Sequence, residues 1–249
     1  MTNRTQHTPK PHEAFFLDLL AKETGIRADV FEKGHAAHEQ FVAQSKQVVF
    51  DGMRFDCPPG VYKPRIGSST EFFLRCMQSE IQVARAIEHN LPMIELGTGC
   101  GLIACALAKA GANNLVATDV YEPAVLAAQS NLAMNGVHNV SVHQSDLFSA
   151  FDSTVQFDVV MFNLPFSMVK ATEGEPVCLS DPGGAVFNRF LAQLKSRLRA
   201  SGCAYIAFSN ISDTNLLRQQ TGFKVELAQL QYFAESGMYR TVLKLTHQD

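Results

Sequence analysis

Several features that mark common protein classes are missing from this sequence. None of its six cysteines forms a Cys-x-x-Cys pair, so neither a zinc nor a redox motif of that kind is visible. No apolar run approaches the roughly 20 residues needed to cross a bilayer, and the opening residues, MTNRTQHTPKPHE, are too polar for a secretory signal. We therefore expect a cytoplasmic protein whose cysteines are buried as free thiols.

An excess of positive charge is also missing. The chain has 21 Lys and Arg against 24 Asp and Glu, a net charge of -3, whereas nucleic-acid binders usually carry a basic excess. An extended nucleic-acid surface is therefore disfavoured. His35 and His38 lie beside Glu39, but a solvated helix face explains this group better than metal ligation, and we expect no metal site.

The front of the chain predicts helices and a hairpin. Residues 11–25 predict a short helix, and a second helix with a weaker apolar face is expected at about 29–44. The Asp51-Gly52 pair in QVVFDGMRFDC is a hairpin signal. One helix is predicted over EFFLRCMQSEIQVARAIEHN, where Phe73, Met77 and Ile81 recur at helical spacing. We divide the chain into a helical and β-hairpin extension at 1–70, which could act as a substrate lid, and a main domain at 71–249.

From residue 91 onward, short apolar runs alternate with helical segments. The predicted strands are MIEL, LVATDV, VSVHQSD, FDVVMFN and CAYIAFS, and the early ones are separated by LIACALAKAGA and PAVLAAQSNLAMNG. Two more strand candidates lie in GFKVELAQLQYFAESGMYRTVLKL. This alternation indicates an α/β fold in which helices cover both faces of a largely parallel sheet. Such sheets bind ligands at the carboxyl ends of their strands.

A glycine-rich loop joins the first of these strands to its helix, in IELGTGCGLIACALAKAG. Gly97, Gly99 and Gly101 lack Cβ atoms, so a ligand can approach the backbone, and the helix that follows offers N–H donors. The loop lacks the Gly-Lys-Ser/Thr of a P-loop, and Leu102 stands where the NAD fingerprint needs a small residue. Glu95, just before the loop, suits a ligand that carries a cationic ammonium or sulfonium group.

Two further strands also end in acidic residues. Asp119 ends the next strand, where a carboxylate can accept hydrogen bonds from both hydroxyls of a ribose. Asp146 ends the third strand and can accept from an adenine amino group, while Leu147 packs on the ring. Over about residues 91 to 246, this pattern resembles the class I S-adenosylmethionine-dependent methyltransferases. The resemblance implies a Rossmann-like seven-stranded sheet, mostly parallel with the last strand antiparallel, S-adenosylmethionine as cofactor and S-adenosylhomocysteine as product.

The fourth strand ends in Asn163-Leu164-Pro165-Phe166. These residues resemble the Asn/Asp-Pro-Pro-Tyr/Phe motif of methyltransferases that act on exocyclic or amide nitrogen. The resemblance implies that the Asn163 oxygen and the Leu164 carbonyl accept the hydrogens of the target NH2, that Phe166 stacks on the acceptor, and that Asn163 also borders the cofactor. Leu164 replaces the first proline of the motif, but Pro165 still favours an extended Leu164.

Two further stretches resemble HemK-type protein-glutamine methyltransferases. One contains Gly183-Gly184, Arg189-Phe190-Leu191 and Gly202, and the other is VYKPRIGSSTEFFL. In the second stretch Gly67 stands in the place of that family's acid, and Thr70-Glu71 come two residues late. The resemblance implies transfer of a methyl group to a protein glutamine.

Other acceptors and another class of function stay open. Ribosomal-RNA guanine methyltransferases share a segment comparable to Pro59-Gly60-Val61-Tyr62, although Ser167 stands where they carry a His. A small nitrogen-containing metabolite would also fit the departures from the motif. A non-catalytic, cofactor-binding partner subunit is the alternative outside enzymes, and the presence of Asp119 and Asn163 speaks against it.

Overall fold

The structure of the protein is a computed structural model that describes residues 11–22, 47–165, 181–220, 222–234 and 237–248. Its α-helices are α1 (Pro11–Lys22), α2 (Ser69–Ser79), α3 (Ile81–Glu88), α4 (Leu102–Lys109), α5 (Glu122–Met134), α6 (Ala185–Arg197) and α7 (Thr214–Gln219). Its strands are β1 (Gln47–Phe50), β2 (Met53–Asp56), β3 (Met93–Leu96), β4 (Leu115–Asp119), β5 (Ser141–Gln144), β6 (Phe157–Phe162), β7 (Leu198–Ser209), β8 (Phe223–Phe233) and β9 (Met238–His247). The helix expected at 29–44, with His35 and His38, lies outside the described residues, as does Phe166.

Strands β3 to β9 form one seven-stranded sheet in the order β5-β4-β3-β6-β7-β9-β8. The pairs β3–β4, β4–β5, β3–β6 and β6–β7 are parallel, whereas β9 runs antiparallel to both β7 and β8. This confirms the predicted fold class, including the antiparallel last strand. The chain moves outward from β3 through β4 to β5 and then returns to the other side of β3. The reversal opens a crevice at the carboxyl ends of β3 and β6, where ligands bind in sheets of this kind.

Helices cover both faces of the sheet, because successive residues of a buried strand point to opposite faces. Val159 and Met161 of β6 belong to the hydrophobic cluster that contains Phe55 of the hairpin. Val160, between them, belongs to the opposite cluster with Phe190 of α6. We call these the hairpin face and the α6 face. The hairpin shares its core with the sheet, and the division of the chain at residue 70 stays a prediction.

The hairpin forms where the Asp51-Gly52 pair predicted it. Strands β1 and β2 pair antiparallel from Gln47 opposite Asp56 to Phe50 opposite Met53. Asp51 and Gly52 have φ values of 46° and 77°, and positive φ at both central residues is what a type I′ turn requires.

The prediction of a single helix from Glu71 to Asn90 is wrong. Glu80 adopts an extended conformation, with φ -78° and ψ 126°, and separates α2 from α3. The Glu80 carboxylate accepts a hydrogen bond from the buried Tyr205 hydroxyl at 2.7 Å, a contact that the local pattern cannot reveal. Ile81 was predicted to share the buried face of this helix. Because of the break, its side chain is 77% exposed.

The described cysteines are buried free thiols, as predicted: Cys57, Cys76, Cys100, Cys105 and Cys203. None of the helices in the described part of the chain is long and apolar enough to span a membrane. Within the same residues, no three His, Cys, Asp or Glu side chains cluster as metal ligands would.

Candidate functional site

Strand register brings the predicted site residues to one level of the sheet edge. Thr118 of β4 and Phe162 of β6 both pair with Leu96 of β3. The residues that follow them, Asp119 and Asn163, therefore lie on either side of the glycine loop. Because neighbouring strands are about 4.8 Å apart, the two side chains flank a crevice of roughly two strand spacings.

The buried side chain of Glu95 forms a hydrogen bond with the glycine loop. Its side chain is buried, with 2% of its surface exposed, and its Oε2 accepts a hydrogen bond from Thr98 Oγ1 at 2.8 Å. Burial raises the pKa of this carboxyl to about 8, although the hydrogen bond from Thr98 opposes the shift. The sequence assigned the Glu95 carboxyl to a cationic ligand. In this structure it forms a hydrogen bond with Thr98 of the loop.

The glycines of the loop have different roles. Gly101 has φ 83°, and a Cβ there would lie 3.1 Å from both Cα and Cβ of Ala128 on α5, so its absence permits α4 and α5 to pack closely. A Cβ at Gly97 would lie 3.2 Å from the Phe162 ring. A Cβ at Gly99 would have no heavy atom within 4 Å, and this residue is partly exposed. The loop is therefore open to a ligand at Gly99 and closed by packing at Gly101, while Gly97 is exposed and lies against the Phe162 ring.

Asp119 is bonded to the loop by its carboxylate. Its Oδ2 accepts from the Gly99 N–H at 2.9 Å, and its Oδ1 accepts from the Tyr121 N–H at 3.0 Å. Burial raises the pKa of Asp119, and these backbone donors act in the opposite direction. A carboxylate has about four lone-pair sites, so each oxygen keeps acceptor capacity for a ligand hydroxyl.

Asp146 is engaged by a residue to which the sequence gave no role. Its carboxylate pairs with Arg189 of α6 at 2.6 Å, and both side chains are about half exposed. Leu147, the next residue, is buried and has φ 53°, which is uncommon for a non-glycine residue. The Leu147 carbonyl accepts from Ser145 Oγ at 2.8 Å, which helps to hold this conformation.

Asn163 follows β6 on the hairpin face, where it meets the first turn of α2. Its Nδ2 donates to Thr70 Oγ1 at 3.2 Å. Its Oδ1 is buried and has no hydrogen-bond partner within the described residues. A buried oxygen without a partner costs about 1–3 kcal/mol, so it marks a position where a donor from outside the chain would be stabilised.

Leu164 points to the opposite face, as strand alternation requires, and is 3% exposed. It lines a small cavity with Pro165, Phe187, Phe208, Asp181 and Asp213. The Asp181 carboxylate caps α6 by accepting from the N–H groups of Val186 and Phe187, each at 3.0 Å. The described lining of this cavity combines apolar side chains with Asp181 and Asp213.

Thr70 and Arg189 are the site residues that sequence reasoning missed. Both residues lie in stretches that resemble a known family, but the sequence assigned neither of them a role. A signal for Thr70 was present: Ser68 and Glu71 have capping-box spacing, and the structure shows Ser68 Oγ accepting from the Glu71 N–H at 3.4 Å. That spacing locates the start of α2, and hence the first turn, in which Thr70 lies. No local signal pairs Arg189 with Asp146.

Comparisons with known proteins identify the family of the chain. The family model "Methyltransferase small domain" matches residues 52–234. A provisionally assigned protein N5-glutamine methyltransferase of Methanocaldococcus jannaschii is 30% identical over 190 residues, which cover 73% of this chain and 90% of that protein. A ribosomal protein L11 methyltransferase of Lactobacillus gasseri is 32% identical over 84 residues, and the chain spans only 26% of its length.

Solved structures share the fold. A 16S rRNA N2-guanine methyltransferase of T. thermophilus, solved with AdoMet and guanosine, superposes with a TM-score of 0.61 at 21% identity, covering 81% of this chain and 50% of the other. A ribosomal protein L11 methylase of Lactobacillus delbrueckii gives a TM-score of 0.50 at 18% identity. On the family match and the M. jannaschii relative, this chain belongs to the methyltransferase small domain family and is an S-adenosylmethionine-dependent methyltransferase.

Proposed function

We propose that the protein methylates a planar amide or amino nitrogen, and that its acceptor is a protein glutamine. The observation that carries the proposal is the buried, unpaired Oδ1 of Asn163 at the carboxyl edge of the sheet. An amide NH2 that enters the crevice would supply the hydrogen that this oxygen lacks.

The residues around the glycine loop fit S-adenosylmethionine. Gly99 leaves room against the backbone, and Asp119 keeps acceptor capacity for ribose hydroxyls. Asp146 and Leu147 lie where the adenine would bind, with Arg189 sharing the Asp146 carboxylate. The cofactor-binding set of the proposal is Glu95, Gly97, Gly99, Gly101, Asp119, Asp146, Leu147 and Asn163. When bound, the cofactor supplies a methyl group on a positively charged sulfur.

The motif residues hold the acceptor. The Asn163 Oδ1 and the Leu164 carbonyl each accept one hydrogen of the NH2, which aims the nitrogen lone pair, while Pro165 and Phe166 border the acceptor. The bound cofactor would give up its methyl group to this nitrogen and leave as the neutral thioether, and the nitrogen, then positively charged, would release one proton to water. The two acceptor oxygens stabilise that charge, and fixed alignment can contribute about 7–11 kcal/mol in favourable cases.

Two observations support a protein acceptor over an RNA base. The provisionally assigned glutamine methyltransferase of M. jannaschii matches this chain over 90% of its own length. The net charge of -3 acts in the same direction.

The test is methyl transfer from tritiated S-adenosylmethionine into an extract of cells that lack this gene. We expect label in the protein fraction, removed by protease and resistant to ribonuclease. Acid hydrolysis should release the label as methylamine, because an N-methylated glutamine amide hydrolyses to glutamate and methylamine. Label that enters RNA, or small molecules, would contradict the glutamine assignment.

A variant separates chemistry from cofactor binding. Asn163→Ala should abolish transfer while calorimetry with S-adenosylhomocysteine gives a Kd within about threefold of the wild type, because Asn163 only borders the cofactor and the other residues of the set hold it. Asn210→Ala is the matched control, since this asparagine bonds the backbone of Gly237 and Tyr239 and should keep full transfer. Normal transfer by Asn163→Ala would show that the motif is not the acceptor site.

A further inference from the structure

The contact between Asn163 and Thr70 joins two parts of the chain that are 93 residues apart. Thr70 is the second residue of α2 and is 7% exposed. Its hydroxyl oxygen accepts from Nδ2, while Oδ1 on the other side of the same amide has no partner in the described chain. The hydroxyl therefore engages one end of the carboxamide and leaves the other end free.

The two ends of an asparagine amide have nearly the same shape but opposite hydrogen-bonding character. A half-turn about the last side-chain bond exchanges them. With Oδ1 toward the crevice, the amide accepts a hydrogen from an NH2 group. With Nδ2 toward the crevice, two donors face each other and the acceptor nitrogen is repelled.

We propose that Thr70 is a positioning residue that anchors the Asn163 side chain through Nδ2 and so presents Oδ1 to the methyl acceptor. A hydroxyl both accepts and donates, so the contact sets where the carboxamide lies, and an incoming NH2 favours the orientation with the oxygen outward. The proposal rests on the function proposed above, since it assigns Thr70 a role only through Asn163. Its consequence is that a residue before the glycine loop contributes to turnover through Asn163.

The surroundings of Thr70 are arranged to keep its hydroxyl in place. Ser68 Oγ accepts from the Glu71 N–H at 3.4 Å, and Glu71 Oε2 accepts from the Gly67 N–H at 2.6 Å. Arg240 of β9 donates to the Gly67 carbonyl at 2.6 Å. The first turn of α2 is thus held both by its own cap and by the strand two places beyond β6 in the sheet.

The experiment compares Thr70→Val, which keeps the shape and removes the hydroxyl, with Thr70→Ser, which keeps the hydroxyl. Transfer of tritiated methyl is measured in the extract of gene-deleted cells, at increasing extract and saturating S-adenosylmethionine. We expect the maximal rate of Thr70→Val to fall at least about tenfold, because small misplacements of a reacting geometry have effects of this order or larger. Thr70→Ser should stay within about threefold of the wild type, and both variants should bind S-adenosylhomocysteine with unchanged Kd.

Ser68→Ala is the control for a shift of the helix, because it removes a cap and leaves the Thr70 hydroxyl. It should lower the Tm and keep the maximal rate within about threefold. Thr70→Val at the wild-type rate, Thr70→Ser as slow as Thr70→Val, or Ser68→Ala as slow as Thr70→Val would each overturn the inference. Normal transfer by Asn163→Ala overturns the proposed function itself, so the two failures are distinguishable.

Discussion

The side chain of Asn131 binds both backbone polar groups of Asp56. Its Oδ1 accepts from the Asp56 N–H at 2.8 Å, and its Nδ2 donates to the Asp56 carbonyl at 2.9 Å. The same Nδ2 donates to the carbonyl of Cys100 in the glycine loop, also at 2.9 Å. One fully buried amide thus ties the hairpin to the loop that we assign to the cofactor.

We expect Asn131→Ala to lower the free energy of unfolding by about 2–4 kcal/mol, because it leaves three backbone groups unpaired, the buried carbonyl of Cys100 and the partly buried N–H and carbonyl of Asp56. The chain supplies a matched control one helical turn later. Asn135 makes the same pair of bonds to Arg54, at 3.1 and 2.7 Å, but in an exposed position. Asn135→Ala should therefore cost under about 1 kcal/mol, since water replaces the lost bonds. Urea denaturation of the three proteins measures the difference, and equal costs would show that burial does not set the value of this tether.

The packing role of Gly101 predicts a second difference. Gly101→Ala forces a methyl group to within 3.1 Å of the Ala128 backbone, and overpacking of this kind costs about 1–3 kcal/mol. Gly136 also has a positive φ, 71°, but a Cβ there would meet nothing within 4 Å. Gly136→Ala therefore shows the conformational cost alone. We expect Gly101→Ala to have the lower thermal midpoint, and similar midpoints would contradict close packing between α4 and α5.

The buried Glu95 predicts how stability depends on pH. Its pKa is raised from 4.5 to about 8 in the folded protein, so the folded state holds a proton that the unfolded state has lost between these pH values. This group therefore makes the protein less stable as pH rises from about 4.5 to about 8, with a slope that approaches 1.4 kcal/mol per pH unit. Below that window both states are protonated, and above it both are ionised.

Glu95→Gln removes this titration and keeps an oxygen that can accept from Thr98. The difference in the free energy of unfolding between the variant and the wild type should grow in favour of the variant from pH 5 to pH 8, measured without cofactor. A difference that is constant with pH would show that Glu95 does not titrate in this range.

The carboxylate of Asp119 predicts a loss of cofactor affinity on neutralisation. Asp119→Asn keeps the size of the side chain but weakens charge-assisted bonds to ribose hydroxyls, which we expect to raise the Kd for S-adenosylhomocysteine about tenfold or more. Asp152→Asn is a control, because this aspartate also accepts from a backbone N–H, that of Thr154, at 3.0 Å on the surface. Calorimetry should find its affinity unchanged, and an Asp119→Asn protein that binds as tightly as the wild type would contradict the ribose assignment.

The features of the fold that could be predicted from the sequence are those determined by residues close together in the chain. The hairpin follows from Asp51-Gly52, because few other pairs accept positive φ at both turn positions. The loop at Gly97 to Gly101 and the strand ends at Asp119 and Asn163 follow from apolar runs that stop at polar residues, and the parallel sheet follows from their alternation with helices.

The sequence by itself determined the α/β architecture, the glycine loop and the polar residues at the sheet edge, because period and turn chemistry act over a few residues. Tertiary structure decided what those residues touch. Glu80, where the helix breaks, accepts from Tyr205, which lies 125 residues later. Asp146 pairs with Arg189, and Asn163 donates to Thr70, which lies before the glycine loop. A hydrogen bond between distant residues exists only once packing has brought their elements together, so no local pattern records it.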